Sequence, residues 1–301
     1  MSFNINHNVE IIASTPKNFD HYVGFHDIKP FNIEKDNLIV LHRLPLNTLG
    51  FLGNKQYLEI CLWNFKTSKI DQIDTSNAWS WEQGSRLQWL DQNKIIYNKI
   101  IENKLVSCVK NISDSNIYNY NYPIYSISKD GKNYLSINYS RLWNLWKSYG
   151  YEVASDKYIN EKKPKNDGVF IGSFQNNNKK LLLSIDEAVE CCGLSNLKDN
   201  YFFLTHPMFS PSGDKIVSLL RYFLTNGVLI SYLICTSIHE ARHKVLAREK
   251  ISHFDWINNE KLVVYCRDLP ESLEKFRQSS FLEKFLITKI KSILKKINPN
   301  L

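Results

Sequence analysis

The sequence predicts an all-β fold, a β-propeller of about five to seven four-stranded blades whose ring is either complete or shortened. The main observation is a repeated unit, in which a short strand carries a large apolar residue, a polar turn follows, and an alternating strand completes the pattern. The copies begin at residues 28, 86, 124, 206 and 253. The spacings from 86 to 124 and from 206 to 253 are close to the ~40–50 residues of a four-stranded blade.

The clearest copy, HPMFSPSGDKIVSLLR, begins at His206. Its Pro211 and Gly213 supply the fixed and the positive φ angles that a tight reversal needs. The last copy, HFDWINNEKLVVYCR, begins at His253. Weaker strand patterns follow most copies and would supply the remaining strands of each blade. A propeller suits this pattern because radial stacking buries both faces of each small sheet; a β-sandwich with similar hairpins is the alternative.

Composition agrees with a strand-rich chain. Aromatic residues make up 13% of the 301 residues, and aromatic side chains favour half-buried strands. The six cysteines form no CxxC pair, which indicates small apolar strand residues rather than a metal or redox motif. The N-terminus lacks the apolar segment of a signal peptide, and no apolar run reaches the length of a membrane span. We therefore expect the chain in the cytoplasm.

The net charge of +8 is distributed unevenly. Residues 271–301 hold seven Lys or Arg and three Asp or Glu, so half of the net charge lies in the last tenth of the chain. The remainder is too weakly basic for a nucleic-acid footprint, and zinc-finger and RNA-binding motifs are absent, so no nucleic-acid partner is predicted. The positive charge instead favours an anionic partner such as an acidic sugar or an anionic lipid.

The repeat ends near residue 270, so we predict a propeller domain over 1–269 and a basic helical tail over 270–301. Two roles are open for the tail. The helix packs on the propeller with its lysines in water, or residues 281–297 make peripheral contact with an anionic membrane. Apolar residues at spacings of three and four, which are typical of an amphipathic helix, are Leu282, Phe285, Leu286, Ile290, Ile293, Leu294 and Ile297.

Two internal segments depart from the repeat. Residues 140–167 are rich in Lys, Asn, Tyr and Trp, which predicts a long loop with a turn at Pro164. Residues 184–194 predict a short helix, in which Ser184 caps the N-terminus and Glu187 completes a capping box.

The first strand of each blade lines the axis of a propeller, so the starts of these strands converge at one mouth. Histidine, glutamine and carboxylate side chains can together bind a divalent metal. Such a metal would hold an acidic sugar and acidify its α-proton, with a Tyr or Arg as base or charge stabiliser. The alternative for a histidine at a strand start is a hydrogen-bonded polar core residue. The residues expected at the mouth are His26, Asp27, Glu82, Gln83, Arg86, Tyr125, His206 and His253.

Two roles are open for the arginines of the repeat units. They bind carboxylates by paired hydrogen bonds, or they tie blades together through backbone carbonyls. These arginines are Arg43, Arg86, Arg141 and Arg221. Trp81 is either a stacking platform for a sugar ring or part of the core between blades. The sequence has no GxSxG, HExxH, Walker or GxGxxG motif, so the common hydrolase, protease and nucleotide-binding classes lack support.

Five segments together resemble the repeats of TolB-type propellers and of a bacterial propeller group similar to oligogalacturonate lyases. They are YVGFHDIKPFN (22–32), AWSWEQGSRLQWL (78–90), RLWNLWKSYGY (141–151), THPMFSPSGDKIVSLLR (205–221) and SHFDWINNEKLV (252–263). The resemblance implies lytic β-elimination on an acidic oligosaccharide, with manganese held at the mouth by histidines and a glutamine. By motif position it implies His206 and His253 as ligands, with Gln83 as a third.

The chain departs from this group at its C-terminal end. The group continues with further blades, including another histidine-bearing repeat, whereas the predicted helical tail stands in their place here. One expected metal ligand and full closure of the ring are therefore expected to be missing.

We therefore expect a propeller that acts on or binds acidic oligosaccharides, within surface-polysaccharide metabolism, as a metal-dependent lyase. The alternative is a non-catalytic scaffold that binds a glycan or a protein. The first hypothesis assigns Arg141, Tyr151 and Arg221 to catalysis, His26, Asp27, Trp81 and Arg86 to substrate binding, and His206, His253 and Gln83 to manganese.

Overall fold

The structure, a computed structural model, describes residues 11–32, 34–35, 37–46, 56–114, 116–153 and 156–267. These residues form an all-β, propeller-like arrangement of four sheets with two short α-helices, which confirms the predicted class. They hold four blades, so the predicted number of five to seven is not confirmed. The predicted tail helix, the boundary at 269 and the membrane contact lie outside the described residues.

Strands within each blade follow chain order, and each is antiparallel to its neighbour. Blade 1 consists of β1 (Phe19–Tyr22), β2 (Leu38–Pro45), β3 (Leu58–Asn64) and β4 (Lys69–Ser76). Blade 2 consists of β5 (Gln88–Trp89), β6 (Lys94–Ile101), β7 (Lys104–Asn111) and β8 (Ile117–Tyr120). Blade 3 consists of β9 (Ser126–Ile127), β10 (Asn133–Ser136), β11 (Gly168–Ser173) and β12 (Asn178–Ser184).

Blade 4 is extended by an extra strand. It consists of β13 (Phe203–Phe209), β14 (Lys215–Phe223), β15 (Leu229–Ser237) and β16 (His243–Trp256), followed by β17 (Leu262–Arg267). The first half of β16 pairs with β15 and its second half with β17, with Glu249 at φ +82 near the junction. The repeat copy at 253 is therefore the β16–β17 hairpin.

The other repeat copies lie at the first hairpins of the blades. The copies at 86, 124 and 206 correspond to β5–β6, β9–β10 and β13–β14. The copy at 28 differs, because the strand that pairs with β2 is β1, which lies earlier in the chain. In that copy Phe31 makes only an isolated bridge to Ile39.

Adjacent side chains of one strand pack in different apolar clusters. In β14, Ile216 belongs to an apolar cluster that includes Leu135 of blade 3. The adjacent Val217 packs in a different cluster, with Ile251 and Phe254 of the β16–β17 hairpin. Both faces of the sheet are thus buried, which is the packing that radial stacking of blades requires.

The described helices are short. α1 (Tyr139–Leu145) is capped by the Asn138 side chain, which accepts from the Arg141 amide. A 3-10 helix, Lys147–Tyr149, follows it. The prediction of a loop from residue 140 is therefore wrong at its start, because Asn138 caps and buried Leu142 anchors a helical turn.

The second helix is close to the prediction. α2 (Ile185–Cys191) begins at the predicted capping box, in which Ser184 and Glu187 exchange side-chain and backbone hydrogen bonds. Within the described ranges, no helix has the length and apolar character to cross a membrane.

Candidate functional site

The inner strands are interrupted near the centre of the propeller, and the site residues come from these interruptions. In β13 the register shifts between Thr205 and Met208, and His206 has φ +55. Arg86 has φ +57 just before β5. Non-glycine residues rarely adopt such angles, and bulges frequently redirect side chains beside functional sites.

Aromatic rings from distant parts of the chain meet at this place. The Phe25 ring centroid lies 4.2 Å from that of His26, 5.1 Å from that of His206 and 6.5 Å from that of His253. The His26 and His253 rings are 4.6 Å apart, and Tyr149 lies 5.4 Å from His206. The structure thus brings together the three histidines that the sequence placed at the mouth.

The gathered residues form an exposed rim over a buried floor. His26 and His253 are exposed, and Phe25 and Tyr149 are half-buried. The buried floor consists of Gln83, Arg86, Tyr125, His206 and Arg221. We call these nine residues the mouth cluster.

His206 is a neutral imidazole on the floor. Burial lowers its pKa well below the usual value, and the positive charges of Arg221 and Arg86 lower it further. Its Nδ1 atom lies 2.9 Å from the Thr205 hydroxyl. At pH 7 this side chain therefore contributes a hydrogen-bonding group and no charge.

Arg86 and Asp27 form an ion pair beneath the rim. Arg86 Nη1 and Nη2 donate to the two Asp27 carboxylate oxygens at 3.0 and 2.9 Å, and Arg86 Nε donates to the Tyr125 carbonyl at 2.8 Å. The guanidinium also lies 3.9 Å from the Tyr125 ring centroid. The two predicted substrate-binding residues therefore bind each other, which pairs the charge of Arg86 with a carboxylate.

Arg221 differs from Arg86 because it has no acidic partner among the described residues. Its Nε donates to the Ser231 hydroxyl at 3.0 Å and its Nη2 to the Ile251 carbonyl at 3.1 Å, and its guanidinium lies 4.8 Å from the Trp146 ring. Nη1 is buried and has no hydrogen-bond partner among the described residues. Burial lowers the pKa of Arg221 to about 10, so the side chain stays cationic at pH 7.

Gln83 provides a second buried polar atom of the floor that has no hydrogen-bond partner among the described residues. Its Nε2 donates to the Tyr125 hydroxyl at 2.6 Å, while its Oε1 is buried without a partner in the described part of the chain. The mouth cluster therefore holds one unused cationic donor and one unused neutral acceptor.

Arg141 lies away from the mouth cluster. Its guanidinium donates to the carbonyls of Phe202, Tyr158, Glu161 and Lys162 at 2.7–3.2 Å. This arrangement corresponds to the backbone-tying alternative predicted for the arginines. The structure gives Arg141 no contact with the rim, and the catalytic role assigned to it stays a prediction without a geometric basis.

Tyr151 and Trp81 flank the floor from deeper positions. The Tyr151 ring stacks on Tyr139 at 4.2 Å, and its hydroxyl donates to the Gly84 carbonyl at 3.1 Å. Burial raises the pKa of Tyr151 to about 12. Trp81 is half-buried and meets Trp79 edge-on at 5.1 Å, so it packs between aromatic neighbours rather than forming an open platform.

Two rim residues escape prediction from the sequence. Phe25 lies in the β1–β2 connection and Tyr149 ends the 3-10 helix, so neither occupies a position of the repeat. The available signal is their presence in the segments 22–32 and 141–151, which carry the family resemblance.

The manganese role assigned to His206, His253 and Gln83 stays a prediction. No three His, Cys, Asp or Glu side chains of the described ranges are placed to hold a metal ion. The Phe25 ring packs against both His26 and His206. Gln83 Oε1 is an unpaired acceptor, but it is only one donor.

Comparison with known proteins agrees with the fold. TolB from Acinetobacter baumannii is 12% identical, with 69% of this chain and 40% of that chain covered and a TM-score of 0.38. Oligogalacturonate lyase from Vibrio parahaemolyticus is 9% identical, with 85% and 74% covered and a TM-score of 0.40. The neighbours are β-propellers. A putative TolB from Agrobacterium tumefaciens is 11% identical, with 78% and 68% covered and a TM-score of 0.42.

The neighbours are those that the sequence resemblance predicted, and at these identities and TM-scores they concern the arrangement of sheets alone. The chain spans less than half of the Acinetobacter TolB. No family model and no curated protein matches the chain.

Proposed function

We propose that this propeller binds an acidic oligosaccharide at its mouth, with the sugar carboxylate on Arg221. The observation that carries the proposal is the buried Arg221 Nη1 atom, which has no partner among the described residues. The elimination reaction that the family resemblance implies, and the metal that it would use, stay predictions.

The cost of burying Arg221 supports an anionic ligand. A buried charge without a counterion is strongly unfavourable unless it is paired and hydrogen-bonded. Within the described part of the chain, Arg221 has two neutral acceptors, the Ser231 hydroxyl and the Ile251 carbonyl, and no carboxylate. A ligand carboxylate would supply both the missing acceptor and the missing negative charge, in a charge-assisted hydrogen bond.

The rim supports a sugar ring above that carboxylate. Phe25 and Tyr149 are half-buried aromatic residues that meet edge-on, with 6.0 Å between their centroids. Their apolar faces can pack against the C–H surface of a pyranose ring. The exposed His26 and His253 and the inward Gln83 Oε1 provide hydrogen-bonding groups for hydroxyls.

Entry of the carboxylate requires a small movement, because Nη1 is covered. Tyr149 is the side chain that we expect to move. It stacks on Trp146 at 3.8 Å, and Trp146 in turn lies against the Arg221 guanidinium. Rotation of the Tyr149 ring away from this stack would open a path from the rim to Arg221.

The proposal is tested by calorimetric titration with digalacturonate and with its methyl ester, which has the same shape without the charge. We expect the wild type to bind the acid, and Arg221→Met to weaken this binding about tenfold or more, since a charged hydrogen bond contributes roughly 1.5–3 kcal/mol. Arg242→Met is the matched control, because Arg242 is an exposed arginine paired with Glu240.

Two results would contradict the proposal. One is equal binding of the acid and the ester, and the other is equal loss in the Arg221 and Arg242 variants. The thermal midpoint of each variant, with Arg221→Lys as a second variant, separates loss of the site from loss of the fold.

A further inference from the structure

A cavity of ≈ 370 Å³ lies between blades 2 and 3, and none of its lining residues belongs to the mouth cluster. This volume is within the size range of small-molecule sites. Leu105 is the lining residue from a strand of blade 2, and the polar lining residues come from blade 3 and the segments connected to it. The lining residues that matter below are Asn138, Tyr139, Asp167, Phe170 and Lys179.

Lys179 contributes the cationic group of this cavity. Its Nζ atom lies 4.1 Å from the Phe170 ring centroid and 4.4 Å from that of Tyr122. An ammonium has three N–H donors, and in the described part of the chain this one has ring faces but no hydrogen-bond acceptor or ion-pair partner. Burial lowers the pKa of Lys179 to about 8, so it is mainly charged at pH 7.

Asp167 contributes an acceptor in the same cavity. The residue is 1% exposed, and its carboxylate oxygens accept from the Gly168 amide at 2.8 Å and from Asn138 Nδ2 at 2.9 Å. Each carboxylate oxygen can accept a further hydrogen bond. Burial raises the pKa of Asp167 to about 6. The carboxylate is therefore held rigidly and forms no ion pair with Lys179.

The geometry points to a site for a small hydroxy acid, whose carboxylate binds Lys179 and whose hydroxyl donates to Asp167. The Lys179 ammonium has unused N–H donors and therefore favours an anionic group of a ligand. The Asp167 carboxylate can accept further hydrogen bonds and therefore favours a donor such as a hydroxyl. The two requirements together disfavour an anion without a hydroxyl donor and a neutral polyol. The aromatic walls favour a short carbon chain between the two groups.

The binding test uses glycerate and propionate, which share a three-carbon carboxylate and differ in the two hydroxyls. We expect glycerate to bind the wild-type protein in a calorimetric titration, and propionate to bind about tenfold or more weakly, the effect of losing roughly one hydrogen bond to a charged group. Lys179→Met should abolish binding of both acids. Lys180→Met is the matched control, because Lys180 is the exposed next residue of β12.

A second variant separates the two contacts. In Asp167→Asn, which keeps the size of the side chain, glycerate should lose its advantage over propionate. Equal binding of glycerate and propionate to the wild type, or glycerate binding that survives in Lys179→Met, would overturn the proposal. Arg242→Met, at an exposed arginine outside both proposed sites, should leave glycerate binding unchanged.

Discussion

Asp27 and Arg86 lie 59 residues apart in the chain and form a two-point ion pair whose side chains are 6% and 1% exposed. The pair joins the β1–β2 connection to the start of blade 2 directly beneath the mouth. Arg86 Nε also holds the Tyr125 carbonyl of blade 3 at 2.8 Å. One guanidinium therefore fixes three neighbouring parts of the ring.

We expect Asp27→Asn to destabilise the protein by about 3–5 kcal/mol, because removing one partner leaves a buried charge uncompensated. Urea unfolding measures this change. The control is Glu240→Gln, whose partner Arg242 is mostly exposed and whose loss should cost no more than about 1 kcal/mol. A similar small change in both variants would show that the buried pair is not a structural tie.

Gly84 packs against the imidazole of His42. Its φ is +57, and a Cβ atom placed there would lie 2.3 Å from His42 Cε1. Gly84→Ala should therefore destabilise the fold both through backbone strain and through a steric clash, by roughly 2–4 kcal/mol in total. Gly213→Ala is the matched control, since Gly213 has φ +78 with nothing within 4 Å of the added Cβ.

Gly213→Ala should therefore show the backbone strain alone, about 1 kcal/mol. If the two alanine variants unfold at the same urea concentration, the contact between Gly84 and His42 contributes nothing to stability.

His42 should make the protein less stable in mild acid. Burial lowers its pKa to about 3 from the usual 6.5, so between these values the unfolded chain binds a proton that the folded chain does not. Stability is then fully present above pH 6.5 and falls by up to about 1.4 kcal/mol for each unit that the pH drops toward 3. The pKa of His206 is also lowered, so this residue likewise makes the free energy of unfolding decrease as the pH falls.

Urea unfolding from pH 7 to pH 5 measures this dependence, and His42→Gln should reduce the slope. A stability that stays constant or rises over this range would contradict the burial of neutral imidazoles in the folded chain.

Manganese should not stabilise the protein. A metal that binds only the folded state raises the thermal midpoint, and the described residues provide no set of three His, Cys, Asp or Glu ligands for one. We therefore expect the same midpoint with and without added Mn²⁺. A rise that disappears in His206→Ala and in His253→Ala would instead support the manganese site implied by the family resemblance.

Much of the mouth cluster could be predicted because the repeat fixes which positions lie near the axis. His206 and His253 begin equivalent hairpins, and Arg86 occupies the corresponding place in blade 2, so their approach follows from the period of the repeat. That Gln83 and Tyr125 lie close together could likewise be predicted. The 2.6 Å hydrogen bond between their side chains could not.

The remaining features depend on segments outside the repeat. Phe25 and Tyr149 reach the rim from connections whose course no periodicity specifies. The donors of Arg141 are taken by carbonyls of residues 158, 161, 162 and 202, which sequence spacing could not reveal. The cavity that holds Lys179 and Asp167 also depends on how blades 2 and 3 pack, and neither residue belongs to a motif.

The most direct measurement is a crystal structure of the protein with digalacturonate. The account predicts a sugar carboxylate oxygen at about 2.7–2.9 Å from Arg221 Nη1, the distance of a charge-assisted hydrogen bond, with the Tyr149 ring displaced and the sugar ring against Phe25. A saccharide bound elsewhere on the propeller, or one at the mouth that leaves Arg221 Nη1 without an acceptor, would contradict it.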